Sequence, residues 1–300
     1  MSARSLFLLI VLAALWGGSF VFTRFAVPVL GPFPLTFARV ALAALTLLVY
    51  AAAHHALPDL RTHWRGLAVV GLVNSALPFA LFAFGAQFLT ASTCAILNAT
   101  APFFVALAAA VWLGEPLNAR KTTGMAMGLA GVVVLVGWSP EPVTSTTLIA
   151  IAACLAASVC YALGGVYTKR RMQRASSLTL ACGSQLAAAI ILLPVLPASV
   201  VPGPVTVWVA LCVVALAVAC TALAYLIYFR LIADVGPSRA ITVTFLIPLF
   251  GVLWGRLFLG EAITANMLAG GALIVAGTWL ALRGNARSAS APAKAAHGSS

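Results

Sequence analysis

The segment PFFVALAAAVWLGE at Pro102–Glu115 reappears as PLFGVLWGRLFLGE at Pro248–Glu261, with the same spacing from proline to glutamate. The two prolines are 146 residues apart (248 − 102 = 146), and this single offset aligns the two halves of the chain without a gap. A fixed period of self-similarity is the signature of a repeat. The same offset pairs further identical residues: Gly18 with Gly164, Arg24 with Arg170, Ser92 with Ser238, Gly124 with Gly270 and Gly131 with Gly277.

The composition indicates that the repeat lies in a membrane. Hydrophobic residues make up 63% of the chain and charged residues 7%, and the mean hydropathy is +1.10, which is far from a soluble domain. A spanning helix needs about 20 mainly apolar residues. Ten such stretches are present, and we expect an all-α polytopic protein with spans at 6–23, 35–53, 66–88, 91–113, 123–138, 148–168, 178–197, 207–232, 239–259 and 265–282.

Each repeat holds five spans, an odd number, so the second copy must enter the membrane from the opposite side. The charges support this inversion, because Arg24 alone follows the first span, whereas Lys169, Arg170, Arg171 and Arg174 follow its equivalent. Of the 17 basic residues, 14 fall on one side, which predicts cytoplasmic N- and C-termini in a bacterial inner membrane. We therefore expect a first repeat at 1–138, a periplasmic linker at 139–147, an inverted repeat at 148–283 and a disordered cytoplasmic tail at 284–300.

Several functional classes are disfavoured by the residues. The basic residues are spread over separate short segments, which argues against a nucleic-acid partner. The six cysteines lie in spans without metal-ligand spacing, and no Asp, Glu or His lies in the central part of a span. We therefore expect no cofactor, no metal and no enzyme, since the chain offers no nucleophile with a base, carboxylate pair or ligand set in the membrane. A proton relay usually needs a buried ionisable group, which favours a facilitator or exchanger over a proton-coupled antiporter.

Inverted repeats permit outward-facing and inward-facing conformations around a site at the repeat interface. The sequence thus favours alternating access by a secondary transporter for a small-molecule substrate, working as a monomer in the lipid bilayer. A channel is the alternative from another class, and duplication as a simple route to a large membrane protein is the alternative without functional meaning.

Candidate cavity residues are prolines within spans, polar residues one turn from them, and aromatic residues at equivalent positions. A proline frees a backbone carbonyl that a cavity can satisfy, and a pocket with aromatic walls and few polar groups suits a flat amphipathic ligand. Packing and interhelical hydrogen bonding are the alternative roles. The candidates are Trp16, Asn74, Pro78, Phe79, Asn98, Pro102, Tyr161, Tyr225, Thr244 and Pro248.

Arg39 is the one basic residue well inside a span, about one turn from its outer end, and its equivalent is the neutral Gln185. It is a candidate for binding a substrate carboxylate or for an outer gate; the alternative is an interfacial anchor. Glu115 and Glu261 form a symmetric pair at helix ends on opposite sides of the membrane, where a structural role competes with proton handling. The G-x-x-x-G spacings at Gly124 and Gly251 favour packing within the monomer over dimerisation.

The twin blocks, the opening Ala14-Leu15-Trp16-Gly17-Gly18-Ser19-Phe20 and the Phe37-Ala38-Arg39 sequence resemble the drug/metabolite transporter superfamily, specifically its EamA-type ten-helix exporters. Within that family the chain is similar to the YddG-like aromatic amino-acid exporters. The resemblance implies export of small metabolites from the cytoplasm through a cavity between the repeats, with amino acids as the expected substrates. Drugs, nucleosides and other metabolites, carried with or without protons, remain alternative substrates.

Overall fold

The computed structural model describes residues 2–137, 144–236 and 240–288, and these residues form helices joined by short turns. The predicted linker therefore lies largely outside the described residues, as does the tail from residue 289 onward. Ten helices are present in the described residues: α1 (Ala3–Leu30), α2 (Pro32–Ala53), α3 (Leu60–Phe88), α4 (Ala91–Asn98 with Ala101–Leu113), α5 (Ala119–Gly137), α6 (Ser145–Arg171), α7 (Ser177–Ala198), α8 (Val207–Val235), α9 (Val243–Leu259) and α10 (Ala265–Ser288).

The ten helices confirm the predicted architecture of two five-helix repeats. Eight helices of the described chain are long and apolar enough to cross a membrane, and α9 and the Ala265–Ala281 part of α10 are shorter apolar helices. Several helices begin at a small polar residue whose side-chain oxygen accepts the backbone N–H three residues ahead, which satisfies a donor that the helix leaves free. These N-cap residues are Ser2, Asp59, Thr90, Thr144, Ser176 and Thr206.

Three predicted boundaries need correction. The helix predicted from Ala91 to Leu113 is interrupted after Asn98 and resumes at Ala101, because Pro102 lies in the first turn of the second segment and cannot donate to the helix before it. The free carbonyl of Ala99 accepts a 3.0 Å hydrogen bond from the Thr278 hydroxyl of α10. The helix predicted from residue 239 begins instead at Val243, after a turn at residues 241–242.

The last helix is also longer than predicted. It continues to Ser288, beyond the predicted end at residue 282 and into the segment expected to be disordered. No proline follows Leu282 before Ser288, so nothing in this stretch removes a helical hydrogen-bond donor.

Inversion of the repeats is visible where α5 crosses α10. A Cβ atom added to Gly124 would lie 2.5 Å from the carbonyl oxygen of Gly277, and one added to Gly131 would lie 2.7 Å from that of Gly270. Each glycine thus faces the sequence equivalent of the other, and the two helices run antiparallel. The repeat symmetry therefore exchanges these two contacts, which requires a pseudo-two-fold axis between the helices. The absence of side chains lets the backbones approach closely, as is common between membrane helices.

The π-helical segments obey the same symmetry. Leu72–Ala76 in α3 is π-helical, and so is Ala215–Leu223 in α8. Adding 146 to residues 72–76 gives 218–222, which lies inside the second segment. Wider π turns inside α-helices are rare and frequently mark functional sites.

The two ends of the bundle are not equivalent in their contacts. On the far side, where α1 ends, the Arg24 guanidinium donates to the carbonyl oxygens of Ala86 and Gln87 at 2.6 and 3.0 Å. Glu261 accepts from the backbone N–H groups of Ala91 and Ser92, at the start of α4, at 2.6 and 3.0 Å. These bonds tie the end of α9 to the start of α4.

On the near side, where α1 begins, the equivalent residues have different partners. Arg170, the equivalent of Arg24, is exposed, and its side chain makes no hydrogen bond among the described residues. Glu115, the equivalent of Glu261, pairs with Lys169 at 3.1 Å and Lys121 at 3.6 Å. The hydrogen bond from Lys169 lowers the pKa of the Glu115 carboxyl, so this contact is present above that pKa and is lost as the pH falls through it.

This asymmetry predicts unequal effects of the same substitution. Glu261→Gln removes charge-assisted hydrogen bonds at a helix N-terminus and is expected to lower the free energy of unfolding by about 1.5–3 kcal/mol. Glu115→Gln, the matched control, removes a partly exposed ion pair worth about 0–1 kcal/mol. Thermal unfolding of both variants in detergent measures the difference, and equal losses would contradict the assigned contacts.

Candidate functional site

Arg39 lies in the first half of α2 and points toward the π-helical segments. Its Nε donates to the Thr221 hydroxyl at 3.0 Å, and its guanidinium carbon lies 3.8 Å from the centroid of the Phe79 ring. Thr221 in turn donates to the carbonyl oxygen of Leu216 at 2.8 Å. The arginine is thus oriented by a hydroxyl on one helix and by a cation–π contact on another.

Gln185 repeats this arrangement on the other side of the pseudo-two-fold axis. Its Nε2 donates to the Ser75 hydroxyl at 2.9 Å. Under the 146-residue offset, Arg39 maps to Gln185, Ser75 to Thr221 and Phe79 to Tyr225. The Tyr225 hydroxyl faces Ser75 and Gln185, as the Phe79 ring faces Arg39. We call these two symmetry-related groups the arginine half-site (Arg39, Phe79, Thr221) and the glutamine half-site (Gln185, Ser75, Tyr225).

Charge distinguishes the two half-sites. Arg39 forms no ion pair with any described residue, and the described carboxylates lie at helix ends: Asp59, Glu115, Asp234 and Glu261. A cation held inside a helix bundle without an anionic partner is expensive and is usually functional. The arginine side chain keeps some accessible surface, so a small anion can reach it.

Aromatic rings surround the arginine half-site. The Tyr161 ring of α6 lies 6.5 Å from the Phe79 ring and 6.2 Å from the Phe82 ring, measured between centroids. Tyr161 and Tyr225 both lie within electrostatic range of Arg39. Three predicted cavity residues, Phe79, Tyr161 and Tyr225, therefore meet around the predicted Arg39.

An apolar cavity of about 460 Å³ lies between α1, α8 and α9 and is open at the surface of the bundle, where Phe25, Trp208 and Phe258 are exposed. Five aromatic side chains line it: Phe22, Phe25, Trp208, Trp254 and Phe258. Its lining includes Cys220, which precedes Thr221 in the chain and lies within electrostatic range of Arg39. The aromatic cavity and the arginine half-site therefore adjoin the same stretch of α8.

The remaining predicted residues are divided between this region and others. Asn74 packs against Gly164 of α6, and Pro78 is buried beside Phe79. Trp16 packs on Tyr228, with ring centroids 5.4 Å apart, and borders both the cluster of α1, α8 and α9 and the main core cluster that Tyr161 also borders.

The symmetric pairs on α4 and α9 have no described contact with either half-site. The Thr244 hydroxyl donates to the Ile241 carbonyl of its own helix at 2.8 Å, and Asn98 ends the first segment of α4. Pro102 begins the second segment, and Pro248 lies within α9.

Sequence reasoning missed three polar residues of the half-sites: Ser75, Gln185 and Thr221. One signal could have found them. Each is a polar residue within a span, and Ser75 and Thr221 are equivalent under the same offset that relates Gln185 to Arg39. A comparison of polar residues in pairs related by the 146-residue offset identifies the positions of the two half-sites.

Comparison with known proteins identifies the family. The sequence pattern of the EamA-like transporter family matches residues 3–137 and, a second time, residues 148–283. This chain belongs to the EamA-like transporter family. Its relatives are named as transporters, so this EamA-like protein is a multi-pass membrane transporter and not an enzyme.

Three relatives match nearly the whole chain. The uncharacterized transporter YvbV of Bacillus subtilis is 27% identical, over 91% of this chain and 89% of the relative. A probable terminal-alkyne amino-acid exporter of Streptantibioticus cattleyicolor is 28% identical, over 97% and 99%. A probable amino-acid metabolite efflux pump of Salmonella typhimurium is 28% identical, over 93% and 95%. One solved crystal structure matches 97% of this chain and 100% of its own, with a TM-score of 0.68 and 20% identity, which supports the fold alone.

Proposed function

We propose that this EamA-like transporter exports amino acids, with aromatic and hydrophobic side chains favoured, by alternating access around a site between its two repeats. The observation that carries the proposal is Arg39, a cation enclosed by helices of both repeats and without an ion pair among the described residues. A guanidinium is the group best suited to bind a carboxylate, with which it forms paired hydrogen bonds.

The aromatic cavity supports the preference for large apolar side chains. Its lining is almost wholly apolar and includes aromatic residues of three helices. Its volume of about 460 Å³ falls within the range of small-molecule pockets. Cys220 joins it to the surroundings of Arg39, so an amino acid can place its carboxylate at the arginine and its side chain among the rings. The names of two relatives, an amino-acid exporter and an amino-acid metabolite efflux pump, agree with this class of substrate.

The orientation proposed from the basic residues puts the near side in the cytoplasm of a bacterium and the far side in the periplasm. The contacts of Arg24 and Glu261 then close the periplasmic side. Their near-side equivalents, Arg170 and Glu115, do not make the same contacts in the described residues. This asymmetry favours an inward-facing conformation, the state in which an exporter receives its substrate.

Ligand-induced stabilisation tests the substrate class. Purified protein in detergent is heated with tryptophan, phenylalanine or threonine at equal concentrations. Because a bound ligand stabilises the folded state, tryptophan and phenylalanine are expected to raise the melting temperature more than threonine. If none of the three raises it, the protein is not an amino-acid carrier of the proposed kind.

Energy coupling is tested separately. We propose export without obligatory proton coupling, because the described carboxylates lie at helix ends, where they cap helices or form ion pairs. Tryptophan uptake into proteoliposomes is expected to proceed at a similar rate with and without a proton gradient. Strong stimulation by the gradient would reject the facilitator form.

A further inference from the structure

Gln185 leaves one polar atom without a partner. The side chain has 0% of its surface exposed, and its Nε2 donates to the hydroxyls of Ser75 at 2.9 Å and Ser184 at 3.5 Å. Its Oε1 has no hydrogen-bond partner in the part of the chain that the structure describes. Buried polar atoms are almost always hydrogen-bonded, because an unpaired one retains its full desolvation cost. An orphan acceptor at this depth calls for a ligand or a role in the transport cycle.

The orientation of the amide is set by its neighbours. The Ser184 hydroxyl donates its one hydrogen to the carbonyl oxygen of Ala181 at 3.3 Å, so toward Gln185 it can only accept. The amide nitrogen accordingly faces Ser184 and Ser75, and the free atom is the oxygen. A free amide oxygen accepts hydrogen bonds and attracts a cation such as an ammonium group.

Symmetry places this acceptor opposite a cation. Gln185 is the equivalent of Arg39, and Tyr225 lies beside both, within electrostatic range of Arg39 and with its hydroxyl facing Gln185. One half-site thus offers donors with a positive charge and the other offers an unpaired acceptor. An α-amino acid carries the complementary groups, a carboxylate and an ammonium on one carbon atom.

We propose that Gln185 receives the α-ammonium group of the substrate while Arg39 receives its carboxylate. This inference rests on the function proposed above and assigns the specificity for α-amino acids to one pair of symmetry-equivalent positions. The duplication made two similar half-sites, and the difference between arginine and glutamine converts them into a receptor for a zwitterion. Ser75 and Thr221 lie in the two π-helical segments, where irregular hydrogen bonding lets α3 and α8 adjust as the ligand enters.

Three probes that share one indole ring separate the two contacts. L-Tryptophan carries both charged groups, indole-3-propionate lacks the ammonium, and tryptamine lacks the carboxylate. In the wild-type protein, tryptophan is expected to bind at least about tenfold more tightly than either analogue, the size of one charge-assisted hydrogen bond. Equal affinities for tryptophan and indole-3-propionate would overturn the inference, and this comparison requires no variant to fold.

The variant Gln185→Leu removes the acceptor at similar volume, together with the hydrogen bond to the Ser75 hydroxyl. We expect it to weaken tryptophan binding at least about tenfold and to leave binding of indole-3-propionate within about twofold. Gln173→Leu, at an exposed glutamine, is the matched control and is expected to bind all three probes as the wild type does. Equal weakening of tryptophan and indole-3-propionate would mean that Gln185 only supports the fold, and unchanged tryptophan binding would also overturn the assignment.

The outcomes separate this inference from the proposed function. If wild-type protein binds none of the three probes, the proposed function fails and the inference fails with it. If wild-type protein binds tryptophan but Gln185→Leu does not discriminate between the probes, the inference alone fails.

Discussion

Replacement of Arg39 by leucine is expected to reduce tryptophan transport at least about tenfold, and up to about 150-fold. This range corresponds to one hydrogen bond to a charged group, worth about 1.5–3 kcal/mol, converted at about 1.4 kcal/mol per tenfold change. The fold should persist, because the Thr221 hydroxyl loses only the hydrogen bond from Arg39 and keeps its own bond to the Leu216 carbonyl. Initial rates in proteoliposomes over a range of tryptophan concentrations give the change in kcat/KM.

Two further variants define the role of this arginine. Arg39→Lys keeps the charge but loses the planar fork, so an intermediate loss of transport is expected. Arg61→Gln, at an exposed arginine in the first turn of α3, is the control and should transport normally. If Arg39→Leu transports tryptophan at the wild-type rate and KM, Arg39 is an anchor or packing residue and the carboxylate contact is wrong.

Replacement of Gly124 by valine is expected to destabilise the protein by at least about 1–3 kcal/mol, the range for overpacked interiors. A Cβ atom at this position would lie 2.5 Å from the Gly277 carbonyl oxygen and 2.8 Å from the Ala281 backbone nitrogen. Both obstacles are backbone atoms of α10, which cannot rotate away as a side chain would. The separation of α5 from α10 must therefore increase, which disturbs one of the contacts that join the two repeats.

Gly165→Ala is the matched control, since a Cβ atom at this helical glycine in α6 would have no atom within 4 Å. Alanine has the better helix propensity, so this variant should melt at or above the wild-type temperature. The measurement is thermal unfolding in detergent together with the monodisperse fraction on size exclusion. Equal melting temperatures for the Gly124 and Gly165 variants would contradict the close crossing of α5 and α10.

The repeat, the number of helices and the antiparallel relation of the two halves could be predicted from the sequence. They follow from long-range regularities, since the apolar stretches are repeated at one offset and Gly124, Gly131, Gly270 and Gly277 occur at matching positions. The structure explains these glycines, because α5 and α10 cross where no side chain intervenes. The parts of the fold that depend on summed hydropathy and on duplication can therefore be predicted from the sequence.

Local irregularities of the backbone are harder to predict from the sequence. Pro102 and Pro248 are equivalent in sequence, yet α4 is interrupted near the first and α9 continues through the second. The difference depends on a tertiary contact, the hydrogen bond from Thr278 to the Ala99 carbonyl, and position 132, the equivalent of Thr278, is a valine without a hydroxyl. The π-helical segments likewise have no composition that distinguishes them from α-helix.

The candidate site was predicted in part. The sequence indicates a lone intramembrane cation, Arg39, and aromatic residues at related positions, Phe79, Tyr161 and Tyr225. In the structure these four side chains lie close together. Trp16 stays a predicted cavity residue; its ring contact with Tyr228 depends on how α1 packs against α8 and could not be read from the sequence. Gln185 was treated only as the neutral equivalent of Arg39, since an unpaired amide oxygen becomes visible only when its surroundings are known.

Counterflow measures the central claim most directly, namely that this EamA-like transporter carries amino acids at a saturable site between its repeats. Proteoliposomes are loaded with unlabelled tryptophan and diluted into a trace of labelled tryptophan. A carrier that exposes one site alternately to each side is expected to accumulate label transiently above its final level. Uptake that rises to that level without an overshoot would indicate a channel, and the absence of protein-dependent uptake would show that tryptophan is not carried.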